Sequence, residues 1–505
     1  MLSSSILGKL YYIWTYSIAY SWLQTIYRGF SRSFKNSRLV HLFVRDSRVE
    51  PIYESSLFAR ALKWIFDLIT GLFSKLFALI SRLAEGSVTK RFVNRFIKSS
   101  FFINYETFLG GFILLMFIVP HNYWSNTYAL LSVIGLFVLF QLMVSAGARK
   151  QFYVHNLGFP LLLFAIACVF SLGFSNDRSD SLRVLLFYVT ALMFVYLIAA
   201  DITTKERLMK LLGFIYFAVL ITSLFAVYQR LVGVSVSASL TDLDSNKGVP
   251  GRVFSTLGNP NNYAEFLVIM TPLAAVFAAN RKREWVKLGF CLALALPALA
   301  LLMTYSRSGW ISIFLALIIF VYYVNKKLLP AFFLLCFAAI PLLPDSVITR
   351  LGTLAGGDSS NLFRIYIWIG CIQIVRDFFL TGIGLGPGSF ATIYPAYADK
   401  HALIGAPHSH MVYMELIIEL GILGFIAFMW YMLRLWKDSA SEATHGRDKT
   451  TVYVLAACVA SLIGIAFTFS VEYVWYYPRT FFAYFILAGI TMAAINLSKS
   501  EKSSD

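Results

Sequence analysis

Charge is scarce in this chain. Asp, Glu, Lys and Arg make up 14% of its 505 residues, where a soluble globular domain carries about 25%. With 58% hydrophobic residues and a mean hydropathy of +0.70, that shortage excludes a soluble enzyme and predicts a polytopic membrane protein. Acid is scarcer than base, 26 against 43. The resulting net charge of +17 points to basic cytoplasmic loops and anionic membrane lipids as partners, not nucleic acid. Cysteine is sparse too. Cys168, Cys291, Cys336, Cys371 and Cys458 are scattered without a CxxC pair, and four lie in apolar runs. They read as small buried hydrophobes, which argues against a disulfide framework or a zinc ribbon. The first apolar run, 11–27, has no small-residue cleavage site after it and is rich in tyrosine and tryptophan. It reads as interfacial, not as a signal peptide. No internal repeat is apparent, which weakens an inverted-repeat transporter.

What is present is apolar helix. Phe58, Leu62, Ile65, Ile69, Leu72, Leu76, Leu79 and Leu83 recur in steps of four and three, with Arg60, Lys63, Asp67, Ser74 and Arg82 on the other side. That spacing predicts an amphipathic helix in the headgroup plane, or else one packed on the protein's own spans. Residues 1–103 hold 15 Lys and Arg against 5 Asp and Glu, so this region is expected on the cytoplasmic side. About twelve spans follow, near 104–120, 124–144, 158–176, 183–201, 208–232, 263–280, 285–304, 308–325, 328–344, 411–433, 451–470 and 479–497. Alternate connections are basic: Arg149–Lys150, Lys205/Arg207/Lys210, Arg281–Arg283/Lys287, Lys326–Lys327, Arg434/Lys437/Arg447/Lys449 and Lys499/Lys502. Both termini are therefore expected in the cytoplasm. The expected layout is a basic amphipathic region over 1–103, a transmembrane domain over 104–497 and a tail over 498–505. A long polar interruption, 345–410, forms a large extracytoplasmic loop between spans 9 and 10.

The outer segments carry Arg178, Arg183, Arg252, Arg307, Arg350, Arg364, Arg376 and Arg479, but only two lysines, Lys247 and Lys400. Topology does not call for arginine there. A planar, permanently charged fork suits phosphate oxygens, although Asp177, Asp180, Asp242 or Asp358 can also pair with some of them. Four motifs border these arginines. GRVFSTLGNPNNYAEFLVIMTPLA, 251–274, is a turn feeding a span. Its Asn259, Asn261 and Asn262 either cap the helix or present amides to a sugar, and Glu265 sits at the outer edge of the span. TYSRSGWISIF, 304–314, holds a tight outer hairpin with Arg307 at its tip, as a ligand contact or a turn stabiliser. NLFRIYIWIGCIQIVRDFFLTGIGLGPGSF, 361–390, predicts a surface helix over 362–379, with Leu362, Tyr366, Ile369 and Gln373 along one side and Arg364 and Arg376 elsewhere. A glycine-rich loop follows. Finally, His408-Ser-His410 enters a span as it begins. A histidine there suits proton transfer near neutral pH. The alternatives are a headgroup-level histidine bonded to a carbonyl, or a metal site drawing on Asp399, His401, His408 and His410.

In order, these stretches resemble the O-antigen ligase and polymerase superfamily of bacterial membrane glycosyltransferases, over roughly 104–495. The family's pattern of histidine, tyrosine, glutamate and glycine falls on His410, Tyr413, Glu419, Gly421 and Gly424, and its outer arginines fall on Arg252, Arg307 and Arg364. The asparagine that often follows the histidine is Met411 here. The resemblance implies transfer of a glycan from a polyprenyl-diphosphate carrier to an acceptor hydroxyl at the outer face of the cytoplasmic membrane, without cofactor or metal. His410 would be the base, with His408 second. Arg252, Arg307 and Arg364 would hold the diphosphate, and Asn259 and Asn262 would lie at the substrate. The acceptor, another lipid-linked glycan, a lipid core or a protein hydroxyl, stays open. A transporter of lipid-linked oligosaccharides is the competing class.

Overall fold

The computed structural model describes residues 6–37, 55–88, 90–91, 95, 104–234, 251–352, 359–399 and 405–503. Asp242, Lys247, Asp358, Lys400 and His401, along with 38–54 and 96–103, lie outside the described residues. The fold is all-α, with no strand among the described residues. Three helices precede the main body: α1 (Ile6–Thr15), α2 (Ile18–Asn36) and α3 (Leu57–Leu83). The body holds α4 (Tyr105–Ile118), α5 (Asn126–Ser145), α6 (Phe159–Ser171), α7 (Arg178–Asp201), α8 (Lys205–Val232), α9 (Pro260–Ala279), α10 (Glu284–Ala293), α11 (Ala295–Met303), α12 (Arg307–Asn325) and α13 (Leu329–Ala339). Three short helices follow, α14 (Asp345–Gly352), α15 (Ser359–Asp377) and α16 (Pro387–Ile393). The chain closes with α17 (Val412–His445), α18 (Lys449–Phe469) and α19 (Pro478–Ser503).

With α10–α11 and α12–α13 each taken as one continuous segment, ten helical segments among the described residues are long and apolar enough to cross a membrane, which makes this a multi-pass membrane protein. One of the ten is α3, the helix whose charge pattern suits the headgroup plane. It docks through Asp67, which pairs with His155 at 2.5 Å, and through Thr70, whose hydroxyl accepts from the Val154 N–H at 3.4 Å. Most of its large apolar side chains face outward. The apolar helices α4 and α6 are shorter.

The centre of the bundle is α19. Its most apolar stretch is 89% buried, as expected of a helix that is hydrophobic all round. It packs on α7, α17 and α18, while α18 also packs on α9 and α12. Opposite charges tie one end of the bundle together. Arg149 pairs with Asp201 at 2.7 Å, Lys210 with Glu106 at 3.1 Å, Lys205 with Asp448 at 3.0 Å and Lys502 with Glu442 at 2.8 Å. These cations are the ones that the charge pattern puts on the cytoplasmic side.

The opposite end holds α14, α15 and α16. The buried stripe of α15 is Ile367, Cys371 and Ile374, which meets Ile418 of α17. Leu362 and Ile369, expected together along one side, both face outward. A second apolar stripe, offset by one residue, won the contact. The glycine loop after α15 clamps onto a break in α17. There Gly421 has φ 66 inside the helix. The freed backbone groups are satisfied across the loop: Ile383 N–H donates to Ile418 O at 2.8 Å and Ile422 N–H to Phe379 O at 2.8 Å. A Cβ on Gly421 would stand 2.3 Å from Leu380 O. Gly421→Ala is therefore expected to cost about 1–3 kcal/mol, seen as a lower melting temperature in detergent.

Candidate active site

The end of the bundle that carries α14–α16 gathers the chain's sequence motifs. Three non-glycine residues among those described have a left-handed backbone, Ser255, Tyr305 and His410, and all three lie here. Left-handed φ is costly for such residues, and strain of this kind clusters at functional sites. Each is held by its surroundings. Gln229 of α8 accepts from Phe254 N–H at 3.2 Å and Ser255 N–H at 2.8 Å. Arg350 donates to Tyr305 O at 3.4 Å. His410 N–H donates to Nδ1 of His408 at 3.2 Å.

Glu472, in the link between α18 and α19, is the pivot. Arg364 donates to its Oε1 at 2.5 Å. Asn261 donates to the same oxygen at 3.3 Å. Nδ1 of His410 faces its Oε2 at 3.9 Å, an ion-pair distance beyond a hydrogen bond. Asn261 in turn accepts from Arg252 at 2.5 Å, and Arg252 also donates to Thr304 O at 2.7 Å. Three segments distant in sequence thus meet on one carboxylate. Burial opposes ionisation of Glu472, but Arg364 and the two histidines outweigh it and hold the carboxyl down to about 2.

The field around Arg252 is positive. Burial and three other guanidiniums, Arg350, Arg307 and Arg364, push its pKa down to about 9 against the support of Glu472. Arg307 opens α12 behind its cap Ser306. The site thus brings together all three arginines read as phosphate ligands, and adds Arg350.

The two histidines have different surroundings. His408 is buried, packs on Tyr476 with ring centroids 4.7 Å apart, and spends Nδ1 on the His410 backbone. Burial, then the neighbouring His410, lowers its pKa to about 3. It stays neutral at pH 7, a poor proton acceptor and a good positioning residue. Because its folded pKa lies below its ordinary 6.5, His408 costs the fold stability as pH falls from 6.5 towards 3. His408→Gln is expected to flatten that part of the stability profile, read as melting temperature against pH. The stretch around the histidines is fixed from below. Glu415 accepts from Ser409 N–H at 2.7 Å, and Trp368 donates to Ser409 O at 2.8 Å. Met411 sits at the cap of α17 and makes no side-chain cap there. Its carbonyl takes the Ser409 hydroxyl at 3.0 Å.

Asn259 caps α9 and donates to the Tyr477 hydroxyl at 3.2 Å. Asn262 is buried in the same turn, but Asn261 is the one that links Arg252 to Glu472. No group of three or more His, Cys, Asp or Glu is placed to hold a metal ion among the described residues, and His401 lies outside them. Arg479 binds the Met116, Val119 and Thr256 carbonyls at 3.3, 2.7 and 2.7 Å, bracing the bundle end. Glu472 belongs to none of the four sequence motifs, although an acid at a span end among tyrosines, EYVWYY, is the type of residue that rarely sits there idle.

Residues 290–429 match the family model described as O-antigen ligase. That stretch is similar to the O-antigen ligase family. It contains Arg307, Arg350, Arg364, His408 and His410, while Arg252, Asn261 and Glu472 lie on either side of it. No curated protein matches the chain. The match and the membrane architecture together support a catalytic role in handling lipid-linked glycan at the membrane.

Proposed function

We propose that the chain transfers a glycan from a polyprenyl-diphosphate carrier to an acceptor hydroxyl, as a surface-polysaccharide polymerase or ligase at the outer face of the cytoplasmic membrane. The observation that carries this reading is the meeting of Arg364, Asn261 and His410 on Glu472, with Arg252 joined through Asn261 and Arg307 and Arg350 beside them. In it, twelve spans cross the membrane with both termini inside, α4 and α6 among them, and α3 lies along the inner surface. Reaction breaks the bond from the anomeric carbon to the diphosphate oxygen and makes one to the acceptor oxygen. Negative charge grows on the leaving diphosphate, where a preset cluster of guanidiniums is worth most. The acceptor proton goes to Nε2 of His410. With Nδ1 turned to Glu472, the imidazole presents Nε2 as the acceptor, and Glu472 stabilises the imidazolium that forms. Single displacement inverts the anomeric configuration.

The test uses purified protein in lipid vesicles with a polyprenyl-diphosphate glycan. Release of polyprenyl diphosphate together with inverted, transferred glycan is expected, and a chelator is expected to leave the rate within about twofold. Movement of the intact lipid between leaflets without transfer would replace this reading with a transporter.

A further inference from the structure

One polar group at this site has no task in the mechanism above. Glu265 lies four residues after Asn261 on α9, so it sits one helical turn further from the helix start on the same face. Asn261 is the bridge between Arg252 and Glu472, which makes Glu265 the next layer of the same site. Its side chain is almost entirely enclosed, at 3% exposure, and its Oε2 has no hydrogen-bond partner in the protein. A buried polar oxygen without a partner is expensive and needs an explanation. Its charged neighbour across the site, Glu472, is a second carboxyl and offers it no donor.

We propose that Glu265 is a substrate contact that accepts a hydrogen bond from a hydroxyl of the bound glycan. The inference rests on the glycan-transfer reading of the site. A carboxyl oxygen needs a donor. The diphosphate brings acceptors and negative charge, so it is the wrong partner for a carboxylate. The hydroxyls of the sugar are the donors that this substrate supplies, and the sugar is joined to the diphosphate that the arginines hold. A water molecule is the competing partner, and it makes a different prediction.

Three proteins decide it: wild type, Glu265→Met, which fills the space without polar atoms, and Glu265→Gln, which keeps an acceptor. Melting temperature is measured alone, with bare polyprenyl diphosphate, and with lipid-linked glycan extracted from the native membrane. Transfer is measured in parallel. Glu265→Met is expected to melt no lower than wild type, because it removes an unsatisfied group. It should keep the shift given by bare polyprenyl diphosphate, lose the extra shift given by the glycan, and transfer about 10- to 100-fold more slowly. Glu265→Gln should recover most of both. A lower melting temperature for Glu265→Met without ligand would mean that the carboxyl has a partner in the fold, and would overturn the proposal. So would an unchanged glycan increment or unchanged transfer, as a bound water predicts. Failure of bare diphosphate to shift the wild type would instead sink the parent reading of the arginine cluster.

Discussion

Replacing His410 by asparagine or by alanine is expected to slow glycan transfer by about a thousandfold, within the range that a positioned base contributes. Asparagine is the sharper test. It tolerates the left-handed backbone that His410 adopts at φ 56, so the chain path into α17 survives while the proton acceptor is lost. Its melting temperature should stay within a few degrees of wild type. Binding of polyprenyl diphosphate should persist, because the guanidiniums are untouched. His408→Gln provides the contrast. His408 supports the His410 backbone through Nδ1 and is neutral at working pH, so its loss should cost about tenfold. A His410→Asn protein that transfers glycan within tenfold of wild type would remove His410 from the role of base. Equal losses from the two histidines would show instead that the pair acts through local structure.

The architecture was legible because hydropathy and charge speak directly to it. Long apolar runs separated by alternating basic turns are enough to predict helices that span a bilayer, and the apolar segments of the main body are helical in the structure. Local chemistry was legible where a motif is contiguous. The GNPNN turn caps α9 through Asn259, and the TYSRS turn places Arg307 at the start of α12. Convergence was not legible. Glu472 is separated from Arg364 by 108 positions and from Asn261 by 211, and no periodicity or spacing reports such a meeting. The link through Asn261 was hidden for the same reason. Each suits a turn equally, and only the direction of Arg252 selects Asn261. The face of α15 was ambiguous in another way. The helix is apolar on two sides, so the sequence offers two stripes, and packing on Ile418 decides between them. Glu419 and Gly421 show a further limit. They sit in the histidine pattern as if they were chemical. In the fold, Glu419 takes the Gly386 N–H at 2.8 Å and the Tyr473 hydroxyl at 3.1 Å, and Gly421 breaks α17 for the loop. Both work as scaffold beneath the histidines.

Glu472→Gln should damage stability and transfer at once, because it acts on charge balance and geometry together. The amide keeps the size of the carboxylate and can still accept from Arg364 or Asn261. It cannot compensate the guanidiniums that surround Arg252 or stabilise a protonated His410. Breaking one side of a largely buried ion pair costs about 3–5 kcal/mol, which should appear as a lower melting temperature. Transfer should fall about 100- to 1000-fold through loss of the preset field. The pH dependence separates this from a general loss of fold. The carboxyl of Glu472 is held below its ordinary value, down to about 2. Its contribution is therefore fully present above pH 4.5 and is lost as pH falls from there towards 2. The Gln variant should lack that acid-side loss while keeping the one due to His408 between 6.5 and 3. A double-mutant cycle with Arg364→Ala completes the argument. If Arg364 and Glu472 act as one unit, the double variant should be little worse than either single one. Additive losses would mean that the 2.5 Å contact carries no coupling, and that the arginine meets its ligand independently of the carboxylate. Wild-type transfer by Glu472→Gln would take Glu472 out of the centre of the site altogether.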